Sequence, residues 1–464
     1  MINIILGIIV LISFIGLVVY CIKGYNMMIG LGIIAALWLA IALIGNAITP
    51  NSALEGYTVV SAINEIFHKA PASYAQNTLV AVIFGAFFGR VLMESGITSS
   101  MIKKTVELGG DHPAVTMTLL IIVVGLIFTS AGGMGLVMAI AMLVLPILFS
   151  MGIPPVIALF AYMAPIMAGS FVSAGLYSQY TGIVGAFDER FLNEYTFNDY
   201  FKFGIVGMII CLVLIIAVCL FLLKRSKKAH AWATPAGSAE TRSAPWYSWI
   251  GTILPIVFII VLHLSVIPAF LLSVLYVLLT CGMLKGSFKD VCSRIVRLFS
   301  DGITDIAPVI AFLLVLSMFN GVAKFVASYF EAIFGGIIPT TPLAITIVFA
   351  VCIPLGFFRG PTNLAGCGAA VMAVVLSVTQ WPIELLFPLI FTASCLPQSI
   401  DITQSWVAWG IGYTKVDSRD YLKIIIPYGW VTGAILCLVA YFMYLAKRKP
   451  RPAPAAARRY RSHS

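Results

Sequence analysis

Two stretches set polar and charged residues inside otherwise apolar sequence. One is Gly356-Phe357-Phe358-Arg359-Gly360-Pro361-Thr362-Asn363, and the other is Cys395-Leu396-Pro397-Gln398-Ser399-Ile400-Asp401. Arg359 offers a planar, permanently charged fork that matches a carboxylate. Asp401 offers a carrier for a coupling proton or a counter-ion for a cation, and Thr362, Asn363, Gln398 and Ser399 supply neutral donors and acceptors. In hydrocarbon every free backbone group is expensive, so irregular backbone survives there only when buried in protein or facing a watery cavity. Intramembrane charge is a site hypothesis for the same reason. The chemistry on offer is that of a substrate and ion site in a secondary transporter.

The first half of the chain repeats this grammar. An apolar run from Val115 to Phe128 meets Thr129-Ser130-Ala131-Gly132-Gly133-Met134-Gly135, and a later segment breaks at Ala168-Gly169-Ser170-Phe171-Val172-Ser173-Ala174-Gly175. At one constant offset Gly133 aligns with Gly360, Ser150 with Ser377, Pro155 with Pro382, Phe160 with Phe387, Ser178 with Ser405 and Gly185 with Gly412. The matching order of breaks carries more weight than these identities. Interrupted hydrophobic segments at corresponding places in two halves point to a transporter binding site. Thr129, Ser130, Gly132, Gly133 and Ser173 therefore join Arg359, Gly360, Thr362, Asn363, Gln398 and Ser399 as candidate substrate-binding residues. Asp401, Thr403 and Asn363 are the candidate coupling residues, with a Na+ site near Thr362, Asn363 and Asp401.

Each signal has a plainer rival. Arg359 could sit on an external loop, Asp401 could neutralise it or cap a half-helix, and the glycine run could serve tight helix packing. Arg90 and Glu94, four residues apart, read as an interfacial pair with the arginine snorkelling. Glu384 reads as an outer-interface residue and His263 as structural.

Stepping out to the elements, 61% of the residues are hydrophobic and 10% charged, against roughly a quarter charged in soluble domains. The chain reads as an all-α polytopic membrane protein. The net charge of +10 sits in short loops and the tail, which is an orientation signal and no nucleic-acid footprint. The nine cysteines lie almost all in apolar runs and read as small hydrophobes. Spans are expected near Ile2–Cys21, Met27–Ile48, Leu79–Leu92 and Phe203–Leu223, then Ile250–Leu264, Pro268–Met283, Ile306–Phe325 and Tyr428–Leu445. Asn51–Ser73 reads as an external loop with a short interfacial helix, Lys103-Lys104 as a basic loop and Lys285–Arg297 as another.

The resulting plan is two inverted repeats, each of about five transmembrane helices (one broken) plus a re-entrant hairpin. Residues 1–223 form the first repeat, with a hairpin near 113–151 and a broken helix near 155–187. Residues 224–247 form a cytoplasmic linker. Residues 248–446 form the second repeat, with a hairpin near 341–379 and a broken helix near 382–413, and 447–464 a basic tail. An odd count per half puts both termini outside, which the basic tail opposes.

The stretch Gly85-Ala86-Phe87-Phe88-Gly89-Arg90-Val91-Leu92-Met93-Glu94-Ser95-Gly96 resembles the pattern near the third span of gluconate-type permeases. The inverted plan resembles the wider ion transporter superfamily of citrate, gluconate and C4-dicarboxylate carriers. Pro361-Thr362-Asn363 is similar to the Ser-Asn-Thr hairpin-tip motif of its dicarboxylate members. The resemblance implies a homodimer in which a mobile transport domain moves against a static scaffold like an elevator, in a bacterial cytoplasmic (inner) membrane. The sequence departs from the family pattern at the first tip, which has no Asn and lacks the gluconate-type acidic residue. A channel would need a continuous polar stripe, and an intramembrane enzyme would need a reactive constellation such as HExxH, which is missing. The expectation is a small-carboxylate symporter using H+ or Na+, with no catalytic residue and no cofactor beyond a coupling Na+. A sodium/proton antiporter is the alternative.

Overall fold

The computed structural model describes residues 2–22, 25–185, 188–226, 243–334, 339, 341–364, 368, 371–372, 375–376 and 381–448. Most of the expected linker, the second arm of the second hairpin and the tail from 449 lie outside the described residues. Everything else is helical or connecting; no strand occurs among the described residues.

The chain opens with α1 (Ile2–Ile22) and α2 (Met27–Ile48). Asn26 caps α2 by accepting from the Met28 and Ile29 amides at 3.0 and 3.4 Å, which satisfies two N–H groups with no intrahelical acceptor. The expected loop after α2 is largely helical. Thr58 starts α3 (Val59–Asn64) with a capping box, and the chain continues through two π-turns and α4 (Ala70–Tyr74) into α5 (Val80–Glu94).

The expected basic loop at Lys103-Lys104 is also a helix, α6 (Ile97–Gly109), bent 53° from α5. Its buried Ile97, Thr98, Met101, Ile102 and Thr105 share one face at helical spacing, which leaves the lysines on the other.

Next come α7 (Pro113–Ile127) and α8 (Met134–Ser150), then α9 (Pro155–Ser170) and α10 (Ala174–Gly185). After the short α11 (Arg190–Asn193), the capping box of Thr196 and Asp199 starts α12 (Phe197–Arg225).

Beyond the linker, the expected span Ile250–Leu264 is a 3-10 segment, Trp246–Thr252, followed by the short α13 (Leu254–Val261). Pro255 in its first turn cannot donate to a preceding turn, so the two do not merge. His263 takes φ 53° in the turn to α14 (Val266–Thr280), where its Nδ1 lies 3.2 Å from Asn198 Nδ2.

The expected basic loop at Lys285–Arg297 is mostly absorbed into α15 (Phe288–Phe334), a 47-residue helix. At the usual rise it is about 70 Å long, more than twice the hydrocarbon thickness of roughly 30 Å. The remaining elements are α16 (Pro342–Cys352) with a 3-10 extension to Arg359, α17 (Ile383–Gln398), α18 (Ser405–Thr414) and α19 (Ser418–Arg448).

Burial divides these helices into rim and centre. α1 exposes Ile4, Ile5, Ile8, Ile12 and Ile15, and α12 exposes Ile209, Val213 and Phe221. Facing water, each would forfeit about 1.5–3 kcal/mol of burial; facing lipid, they cost nothing. By contrast, α9 is buried without interruption from Ile157 to Gly169, and α17 from Leu385 to Pro397. A helix apolar all round belongs in the centre. Among the described residues four helices are long and apolar enough to cross a membrane alone: α2, α12, α15 and α19. The bent pairs α5–α6 and α9–α10 pass the same test together. The molecule is a multi-pass, all-helical membrane protein with broken helices at its core.

Candidate functional site: a cavity where broken helices meet

At the first tip the chain leaves α7 after Ile127 and re-enters helix at Met134. Gly133 bridges the two with φ 106° and ψ 150°, a conformation favouring glycine, and α8 begins with no side-chain cap. The tip is seated on α5. A Cβ on Gly89 would come within 3.0 Å of the Gly132 carbonyl oxygen, so only hydrogen separates the two backbones.

The two central helices break beside this tip. α9 and α10 meet at 67° across Phe171–Ser173. Between α17 and α18 the chain runs irregularly from Ser399 to Gln404, and α18 again begins without a side-chain cap. Cross-links hold the breaks in place. The Tyr180 hydroxyl donates to Gln398 Oε1 at 3.2 Å, Tyr200 donates to the Phe171 carbonyl at 2.7 Å, and Tyr162 on α9 donates to the Val137 carbonyl on α8.

These elements enclose a cavity of about 290 Å3. Three helix starts reach it: Gly133 and Met134 from α8, Ser173 and Gly175 from α10, and Gln404, Ser405 and Trp406 from α18. The first turn of each holds N–H groups without an intrahelical acceptor, and each start carries about half a positive charge. The rest of the lining comes from α5, α14 and α15, through Gly85, Phe270 and Asp305 among others. Among the described residues Asp305 is the one charged side chain lining the cavity. Two buried polar atoms on its walls have no hydrogen-bond partner: the hydroxyl of Ser130, a residue 6% exposed, and the Trp406 indole N–H.

Of the residues singled out in the sequence, Ser130, Gly132, Gly133, Ser173 and Gln398 line the cavity. Ser173 also accepts from the Leu176 amide at 3.4 Å, which caps α10. Thr129 is buried, and its hydroxyl donates to the Leu126 carbonyl at 2.7 Å.

The second tip is organised around α17, and none of its described residues lines the cavity. Asn363 is fully buried, with its Nδ2 donating to the Gly356 carbonyl at 3.3 Å. The Leu364 amide donates to Ser394 Oγ at 3.0 Å, Ser394 donates to the Thr362 carbonyl at 3.4 Å, and Thr362 Oγ1 donates to the Cys352 carbonyl at 3.4 Å. Gly360 sits against the Leu355 carbonyl, where no Cβ fits. Phe358 takes the left-handed conformation, φ 58° and ψ 33°, rare for a bulky residue. The Arg359 side chain lies outside the described residues.

Ser399 and Asp401 are buried at the α17–α18 break. The Asp401 carboxylate accepts from the Thr403 amide at 3.0 Å and from the Thr403 hydroxyl at 2.9 Å, and neither residue is on the cavity wall.

Arg90 is more than an interfacial partner for Glu94. Its guanidinium reaches Glu94 at 3.4 Å, then crosses to α15, meeting Asp301 at 3.2 Å and Asp305 at 3.5 Å. Asp305, Gln179, Gln404 and Trp406 are among the lining residues that sequence reasoning passed over. For Asp305 a signal was present: two acids four apart at the mouth of an apolar run are costly unless paired.

No protein-family model matches the sequence, and no curated protein matches it by sequence. Among solved structures, the crystal structure of the Alcanivorax borkumensis YdaH transporter, described as having an unusual topology, superposes with a TM-score of 0.62. The two are 14% identical over 90% of this chain and 98% of that one. The chain shares the fold of that transporter, and at this identity the likeness concerns the fold alone.

Proposed function

We propose that this protein is a secondary active transporter of a small organic anion, a carboxylate such as a sugar acid, citrate or a C4-dicarboxylate. The observation that carries the reading is the convergence of three helix starts, two of them without side-chain caps, on one cavity. Free amides and the positive ends of helix dipoles hold anionic oxygens without needing a cationic side chain. Ser130, Ser173 and Gln398 complete the site with neutral donors, and Gly132 and Gly133 let the cargo approach the backbone. Arg359, Gly360, Thr362 and Asn363 from the second tip, and Ser399 from the α17–α18 break, act as the transport domain closes.

Coupling is to H+ or Na+ through Asp401, a carboxylate without solvent exposure, with Thr403 and Asn363 as the other coupling residues. A Na+ would take oxygen ligands from Thr362, Asn363 and Asp401. The protein works as a homodimer in a bacterial cytoplasmic membrane, with the two hairpins and broken helices moving as one body in an elevator cycle. The buried Asp401 also favours a second reading, a sodium/proton antiporter.

Uptake into proteoliposomes of a panel of small carboxylates, with sodium and proton gradients imposed separately, tests the proposal. Saturable, gradient-dependent accumulation of one carboxylate class is the expected result, and its loss in Arg359→Ala supports the anion role of that residue. Sodium-for-proton exchange without any carboxylate flux overturns the symporter reading in favour of the antiporter.

A further inference from the structure

We infer that the cargo carries a protonated amino group as well as its carboxylate, and that Asp305 is the residue that selects it. The inference rests on the anion reading above and assigns a role to a further residue lining the same cavity.

The cavity is electrically two-sided. The starts of α10 and α18 each present a partial positive charge to it, while the start of α8 lies against the Asp305 carboxylate. The α15 lining presents the Asp305 carboxylate. That carboxylate is incompletely neutralised: Arg90 is shared among Glu94, Asp301 and Asp305, and its 3.5 Å contact with Asp305 is the longest of the three. A charge-assisted pair with full hydrogen bonding closes to about 2.7–2.9 Å. One guanidinium and the start of α8 against three carboxylates leave net negative charge at this end of the cavity, where an ammonium would find a partner.

Two independent atoms mark this cavity as a place for a ligand. Ser130 is 6% exposed, lies at the first tip and has no partner for its hydroxyl. The Trp406 indole N–H at the start of α18 has none either. Buried polar groups left unmatched are costly, and the carboxylate of a small zwitterion lying between the tip and α18 would accept from both. Its ammonium would then face Asp305. Gln179 and Gln404, also on the wall, can serve either pole. The ligand class is a small amino acid or amino-dicarboxylic acid, a size suited to a cavity of about 290 Å3.

Matched pairs of ligands differing only in the amino group provide the test. Purified protein is titrated with succinate and aspartate, glutarate and glutamate, and propionate and alanine, with binding read by thermal stabilisation. In the wild type the amino member of at least one pair should bind roughly tenfold tighter or more, the scale of one well-placed charge contact. Asp305→Asn should collapse that preference to about twofold or less. Ser130→Ala should weaken both members of the pair equally.

Equal affinity within every pair, or an Asp305→Asn variant that weakens both members alike, overturns the inference and leaves the anion transporter standing. Failure of every carboxylate to bind overturns the anion reading, and this inference falls with it. If Asp305→Asn does not fold, the wild-type pairs alone decide.

Discussion

The carboxylate of Asp305 lies over Gly135 in the first turn of α8, so close that a Cβ there would come within 2.6 Å of Oδ1 and 2.8 Å of Cγ. A helix from the wall thus holds its acid against the positive end of the hairpin's second arm, the arrangement a helix dipole favours. Gly135→Ala forces the short side chain away from this seat. Overpacking of this kind costs about 1–3 kcal/mol, and the thermal midpoint of the purified protein should fall accordingly. Cargo binding should weaken with it, because the first tip then sits out of place. An unchanged midpoint together with unchanged binding would show that the two elements do not bear on each other.

Arg90 holds three carboxylates from two helices. Arg90→Ala leaves Glu94, Asp301 and Asp305 together without their shared cation. Breaking a fully buried pair costs 3–5 kcal/mol, but these acids are about a quarter to a third exposed, so about 1–3 kcal/mol is expected. Arg90→Lys should recover only part of it, since a point charge cannot reach in three directions as a planar fork does. Restoration of the midpoint by adding Asp301→Asn to Arg90→Ala is the signature of charge crowding; no restoration would point to lost packing.

The breaks were legible in the sequence because glycine, proline and polar residues have no cheap place in an apolar run. Gly132-Gly133 and Ser170–Ser173 interrupt helix where the residue types require it, and the α17–α18 break follows Pro397 and Gln398. The amphipathic α6 was less legible: Lys103 and Lys104 look like a loop unless the spacing of Ile97, Met101 and Ile102 is weighed against them. The length of α15 was hidden because its first turns are polar and its later ones apolar, so the composition change looked like a boundary. Asp305 escaped notice because pairing made it affordable. The guanidinium that links α5 to α15 is 211 residues before Asp301, and no local pattern reports such a contact.

Gly89 makes a prediction about the seat of the tip. Its α-carbon faces the Gly132 peptide, and a side chain would meet the carbonyl oxygen at 3.0 Å and the amide nitrogen at 3.4 Å. Gly89→Ala asks the tip to yield by a few tenths of an ångström, whereas Gly89→Val adds two methyls with nowhere to go. The first should be tolerated within about 1 kcal/mol, and the second should cost about 1–3 kcal/mol and abolish binding at the cavity. If the valine variant binds cargo as well as the parent, the tip does not need this contact to form the site.

At the second break, Asp401 accepts from both the amide and the hydroxyl of Thr403. Structural and coupling roles for this carboxylate separate by substitution. Asp401→Asn keeps an oxygen for the Thr403 amide, so the turn should survive with a loss near 1 kcal/mol, one hydrogen bond's worth. Asp401→Ala strands buried donors and should cost about 1–3 kcal/mol. If Asp401 carries the coupling charge, the asparagine variant remains folded and binds cargo, yet uptake becomes indifferent to the imposed sodium or proton gradient. Gradient dependence that persists in a folded Asp401→Asn protein would leave this residue a turn-forming role alone and move the search for the coupling group elsewhere.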